Sequence, residues 1–176
     1  MHGNFMKIEE PYGLPSSAEI CSARADVAIS RFLLSSPGAR LAAALLRSGA
    51  EVAITFTNLP GDWRILNNDA GELAFEPIKA TDPDFELRIP PRAVESICSQ
   101  VDADVGDLGI AFFELVNARE QELKIQVTVH SGLIKLTRRG WLGVVAKGGS
   151  KVMGWMAQKG LRGPGAIATA LGKLKR

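Results

Sequence analysis

After Glu122 the chain contains no acidic residue. All 19 Asp and Glu lie within residues 1–122 beside ten of the 21 Lys and Arg, a formal −9, whereas residues 123–176 carry the other 11 cations alone, a formal +11. A one-sign field of this size attracts anionic surfaces, unless the two parts neutralise each other within the molecule. Other shortages narrow the field further. The two cysteines, Cys21 and Cys98, stand 77 positions apart with no CxxC and no clustered His, which predicts reduced, buried thiols in place of a disulfide or metal site. The longest candidate apolar runs, residues 108–113 and 141–146, fall far short of the ~20 residues a spanning helix needs. The opening MHGNFMKIEEPYG has a Glu pair and chain breakers where a secretory signal needs an apolar stretch. A cytoplasmic location, peripheral at the inner face of the membrane, is therefore expected.

What is present suffices for one core: 176 residues, 46% apolar and 23% charged, predict a single domain spanning residues 1–176. An irregular arm is expected over 1–15, N-terminal helices over 16–49, a sheet with covering helices over 50–140, and a basic helical segment over 141–176. Ser16 and Glu19 are spaced as a capping box for a first helix, with Ile20, Ala23, Val27 and Leu34 along one side. Ser36 and Pro37 open a second, burying Leu41, Ala44 and Leu45 and ending at Gly49. The period then changes to two. Val52, Ile54 and Phe56 alternate with smaller or polar residues, turns at 58–62 and 68–71 separate strands over 63–67 and 73–76, and Phe85, Leu87 and Ile89 oppose Asp84, Glu86 and Arg88. Pro90-Pro91 precedes a short helix over 92–100, and Asp104 or Asp107 caps a helix whose stripe is Val105, Leu108, Phe112, Leu115 and Val116. Leu123, Ile125, Val127 and Val129 alternate in a strand that puts His130 on the polar face, and after Ser131-Gly132 a strand is read over 133–137.

The segment RRGWLGVVAKGGSKVMGWMAQKGL, residues 138–161, mixes two Trp and two Met with five cations and six glycines. Ser150 is a candidate cap for an amphipathic helix with Val152, Trp155 and Met156 on one side and Lys147, Lys151 and Gln158 on another. Core, a membrane-binding surface and the wall of an apolar site are the three readings. Two nucleotide patterns fail here. Residues 143–148 have the spacing of a phosphate loop, but Gly149 stands where its lysine belongs. Residues 163–168 imitate a dinucleotide fingerprint, yet they follow a helix and have no acid downstream. No GxSxG or HExxH occurs, and the carboxylates read as turn and solvent-facing strand residues, so no catalytic residue is assigned.

The pattern is α+β: a five-stranded, mostly antiparallel sheet with helices on one face, extra N-terminal helices and a basic amphipathic C-terminal segment. In VAITFT (52–57), WRILNNDAGELAFEP (63–77), TDPDFELRIPPRAVESIC (81–98), DVGDLGIAFFELV (104–116) and LKIQVTVHSGLIKL (123–136) it resembles the sterol carrier protein 2 family of lipid-binding domains. The late strand departs from that family's pattern, being interrupted at Ser131-Gly132. The resemblance implies a non-enzymatic carrier with no cofactor, holding a fatty acyl, sterol-like or polyprenyl quinone-like ligand in a tunnel between sheet and helices. Phe85, Phe112, Phe113, Val116, Trp141, Val144, Val152, Met153, Trp155 and Met156 are the candidate lining, Met being adaptable filler. Lys147, Lys151, Lys159, Arg162, Lys173, Lys175 and Arg176 are the candidate docking residues for an anionic membrane. The alternatives are an accessory or scaffold subunit of a lipid or quinone biosynthetic complex, presenting a prenylated or acylated substrate to enzymes, and a basic protein- or nucleic-acid-interaction module without a ligand; the candidate protein partners are a second copy of the chain or an accessory protein. Nucleic acid is the weaker partner, because these cations alternate with Trp, Met and Val and no nucleic-acid-binding motif accompanies them.

Overall fold

The computed structural model describes residues 24–68 and 73–159. The capping box at Ser16, the arm over 1–15, Cys21 and the final helix after residue 160 lie outside the described residues. Helix α1 (Ala25–Ser35) buries Ala25, Ala28, Ile29, Phe32 and Ser35, the i, i+3, i+4, i+7 stripe of a half-buried helix. Val27 and Leu34, expected on the inner side, are instead 36% and 70% exposed. The reason is packing: fully buried Ala28 and Ala93 let α1 lie close to the helix after Pro90, which selects the alanine side. Ser36 Oγ accepts from the amide of Ala39 at 3.2 Å and Pro37 opens α2 (Pro37–Ala43), as the sequence indicates. Leu41 is 45% exposed rather than buried, and Ala44 is exposed too.

Five strands follow: β1 (Glu51–Phe56), β2 (Leu59–Asn67), β3 (Leu73–Glu76), β4 (Phe85–Ile89) and β5 (Gln126–Val129). They form one sheet in the order β3-β2-β1-β4-β5. The pairs β1–β2, β2–β3 and β4–β5 are antiparallel, but β4 joins β1 in parallel, so the sheet is mixed. A parallel neighbour requires a crossover, and residues 77–84 provide it by carrying the chain from one edge strand to the far side of β1. The register pairs Val52 with Phe85, Ile54 with Leu87 and Phe56 with Ile89 on the apolar face, and Ala53 with Glu86 and Thr55 with Arg88 on the wet one. Residues of α1, α3 (Pro91–Cys98) and α4 (Val105–Val116) form one core with the apolar face. Cys98 is fully buried there.

Residues 133–137 are not a strand. They belong to helix α5 (Leu133–Arg138), with the Leu136 amide on the Gly132 carbonyl at 3.0 Å and the Arg139 amide on that of Lys135 at 2.9 Å. Ser131 ends the sheet here: its hydroxyl and amide both turn back onto Asp84, at 2.6 and 3.4 Å, and take the chain off the edge strand. Gly140, at φ 89°, then reverses direction into α6 (Trp141–Lys147). No other residue suits this position, since a Cβ would run into the Leu45 carbonyl oxygen as well as strain the backbone. Helix α7 (Gly149–Gln158) starts one residue before the cap proposed at Ser150 and has no side-chain cap.

Candidate functional site

The alternation along β4 assigns Asp84 to water, and so do the expectations for the chain's carboxylates in general. Asp84 is in fact fully buried, and Glu51 is 3% exposed. An unpaired carboxylate in such a place is prohibitively costly, so partners must converge on it. Asp84 accepts from Ser131 Oγ at 2.6 Å, Trp141 Nε1 at 2.8 Å, Arg139 Nη1 at 2.9 Å and the Glu51 amide at 3.4 Å. Glu51 accepts from the amides of Asp82 and Thr81, at 2.7 and 3.2 Å, and lies 3.4 Å from Arg64 Nη1. These bonds fasten residues 131–141 to the sheet. Sequence reasoning missed them because the side-chain partners of Asp84 lie 47 to 57 positions away, beyond any local pattern.

The candidate apolar lining divides into two groups. Phe85, Phe112, Val116 and Trp141 are partly buried against the main core, with Phe85 and Trp141 edge to face at 4.9 Å. On the other side of α4, Phe113 stacks on Trp155 of α7, centroids 5.7 Å apart and rings 24° from parallel, and touches Phe112 edge-on at 6.2 Å. Val152 is 3% exposed beneath this pair, close enough to α4 that a Cβ at Gly109 would lie 3.3 Å from its methyl. Val144 is half-buried on α6. The side chains of Met153 and Met156 lie outside the described residues. A helix that is apolar on two sides needs cover on both, and α7 supplies the outer one with buried Val152 and half-buried Trp155.

The candidate docking cations divide as well. Lys151 Nζ sits 2.7 Å from Asp104 Oδ2 and 2.9 Å from Asp107 Oδ2, at the start of α4. These bonds raise its ammonium to about 12, and Lys151 with the Asp107 amide holds the Asp104 carboxyl below its ordinary range. Asp104 is also the helix cap, accepting from that amide at 2.9 Å. Lys159 lies over the Trp155 ring at 5.6 Å, a cation–π contact. Lys147 is exposed with no acidic partner among the described residues. Arg162, Lys173, Lys175 and Arg176 lie outside them. Lys135, absent from the docking set, reaches Asp82 at 2.5 Å and, followed by Arg139, keeps the Asp82 carboxyl below the usual carboxylate range. His130 stands 3.1 Å from Glu86 on the wet face.

Two surface clefts among the described residues are lined by none of the ten candidate lining residues. One, of about 390 Å³, lies between α1 and strands β2 and β3, against Trp63 and Phe75. The other, of about 570 Å³, is lined by Ser48, Gly132, Ile134, Lys135, Arg138 and Arg139. Among the described residues no cluster of His, Cys, Asp and Glu fits a metal ion, and no helix is long and apolar enough to cross a membrane. No protein-family model, curated protein or solved structure matches the chain.

Proposed function

We propose that this protein binds an apolar lipid, such as a fatty acyl, sterol-like or polyprenyl quinone-like molecule, at the seam between α4 and α7, and presents it at an anionic membrane surface through its basic C-terminal third. The observation that carries the reading is the seam itself. Phe113 and Trp155 stack there outside the main core, half-buried, beside Val152 and an α4 face thinned by Gly106 and Gly109. A ligand chain that parts α7 from α4 meets aromatic and aliphatic groups on both sides, with Lys151 at one end of the seam and Lys159 over the Trp155 ring at the other. Apolar sites are built this way, with a greasy lining finished by few polar groups. The order of elements supports the same reading: a strand pair, a further strand, two helices, a last strand and a C-terminal apolar helix are the parts that the sterol carrier resemblance implies, and this chain has them in that order behind its extra N-terminal helices.

The test is native mass spectrometry of the purified protein, with any bound fraction extracted into organic solvent and identified. A discrete lipid mass present on the wild type and lost from a folded Phe113→Asp variant supports the reading. A protein that stays apo after incubation with fatty acids, sterols and quinones overturns it.

A further inference from the structure

We infer that α5 is the element that meets the bilayer, with Ile134 entering the acyl boundary and Arg138 holding a lipid phosphate in the cleft beside it. This rests on the lipid-presentation reading and assigns its membrane contact to residues outside the set that the sequence suggested. Ile134 is 79% exposed and its neighbour Leu133 51% exposed, the first the highest value among the exposed large apolar residues described. A single exposed aliphatic residue is ordinary; its setting here is not. Ile134 shares the 570 Å³ cleft with Lys135, Arg138 and Arg139, and the Ser48 and Gly132 positions complete the wall. Two carboxylates face these cations, Asp82 on Lys135 and Arg139, and Asp84 on Arg139. Arg138 has no acidic partner among the described residues, so three cations meet two anions and the cleft keeps a net positive charge. Arg47, exposed and likewise without an acidic partner there, adjoins the same end through its amide on the Arg139 carbonyl at 3.0 Å.

The occupant follows from this layering. An anionic bilayer offers phosphate oxygens at its surface and hydrocarbon just below, which matches a guanidinium beside a protruding Leu–Ile pair. Arg binds a phosphate through two parallel N–H bonds, more specifically than a lysine does. No aromatic ring lines the cleft, so it lacks the stacking platform that single-stranded nucleic acid uses. The charge of the wider region agrees, because residues 123–176 carry 11 cations and no acid.

The experiment is co-sedimentation of the full chain with vesicles of phosphatidylcholine alone or mixed equally with phosphatidylglycerol. The variants are Ile134→Ser, Arg138→Glu and, as a control of equal charge change on the wet face of β4, Arg88→Glu. Retention on the mixed vesicles is expected to fall by roughly tenfold for Arg138→Glu and several-fold for Ile134→Ser, with Arg88→Glu near wild type. Equal losses for the two charge reversals, or equal retention of the wild type on both vesicle types, overturn the inference. Displacement by an acidic polypeptide at lipid-equivalent charge, with no dependence on Ile134, overturns it in favour of a protein partner. Lipid content of the same variants by mass spectrometry separates this result from the carrier reading: α5 variants that lose the vesicles but keep the ligand show the two sites to be distinct. A protein that never carries a ligand yet shows the graded vesicle losses leaves the docking surface standing and removes only the carrier.

Discussion

Residues 131–159 are attached to the rest of the molecule at two ends by opposite means. At the near end, a fully buried carboxylate on β4 collects Ser131, Arg139 and Trp141. At the far end, exposed Asp104 and Asp107 hold Lys151, and Phe113 stacks on Trp155. Both attachments pair Asp with a cation, yet their worth differs because of depth. A surface ion pair keeps nearly all its water and contributes little, whereas a buried carboxylate that loses a partner cannot recover solvation. The near end therefore fixes where the C-terminal helices begin, whereas at the far end the exposed clasp adds little to the packing of Val152 and Trp155 on α4.

The contrast is broken most severely at Asp84. Asp84→Ala leaves the Arg139 guanidinium, Ser131 and the Trp141 indole facing a void, and unfolding in urea is expected to show a loss of about 3–5 kcal/mol. A loss below about 1 kcal/mol would mean that the cluster is wetter than its geometry indicates. Gly140→Ala comes next. It puts a Cβ on the Leu45 carbonyl and forces a non-glycine residue to φ 89°, for an expected cost of about 2 kcal/mol or more in the same measurement. Trp141→Phe keeps the ring against Phe85 but removes the 2.8 Å bond to Asp84, leaving a buried oxygen short of one donor. A loss of about 1–3 kcal/mol is expected.

These near-end residues also mark the limit of what the sequence discloses. The period of two along residues 84–89 correctly puts Phe85, Leu87 and Ile89 on the core face, because a half-buried strand must alternate. The same rule sends Asp84 to water and is wrong there. At the first position before β4 the environment is set by the loop after β5 and by α6, which local spacing does not record. The stripe of α4 and its Asp104 cap are legible for the converse reason, since cap and period both act within a few residues. Residues 133–137 are too short to display a period, and Ile134 and Thr137 favour a strand on propensity alone. The chain turns helical because Ser131 is bound to Asp84 and can no longer extend the sheet edge. Of the candidate lining, Phe85 follows from the alternation, the Phe113–Trp155 stack lies off the α4 stripe that the spacing gives, and Trp141 is drawn against Phe85 by a carboxylate that the alternation sends outside.

The smallest effect sharpens the contrast at the far end. Lys151 is raised to about 12 by Asp104 and Asp107, against about 10.4 in an unfolded chain. Since the folded value is the higher one, the clasp acts fully below about pH 10.4 and is lost as pH rises through about 12. Asp104 runs the other way: its carboxyl is depressed chiefly by Lys151, so its contribution is present above about 3.9 and fades as pH falls below that. Between these limits the attachment of α7 is insensitive to pH. An alkaline step in tryptophan fluorescence, taken as the difference between wild type and Trp155→Phe, is expected in the window above pH 10.4 and is expected to vanish in Lys151→Gln. Urea midpoints of Lys151→Gln at neutral pH should stay close to wild type, because exposed pairs add little. Coincident alkaline curves for wild type and Lys151→Gln would show that the aromatic stack alone holds α7, and that anionic lipid cannot loosen it by competing for the lysine.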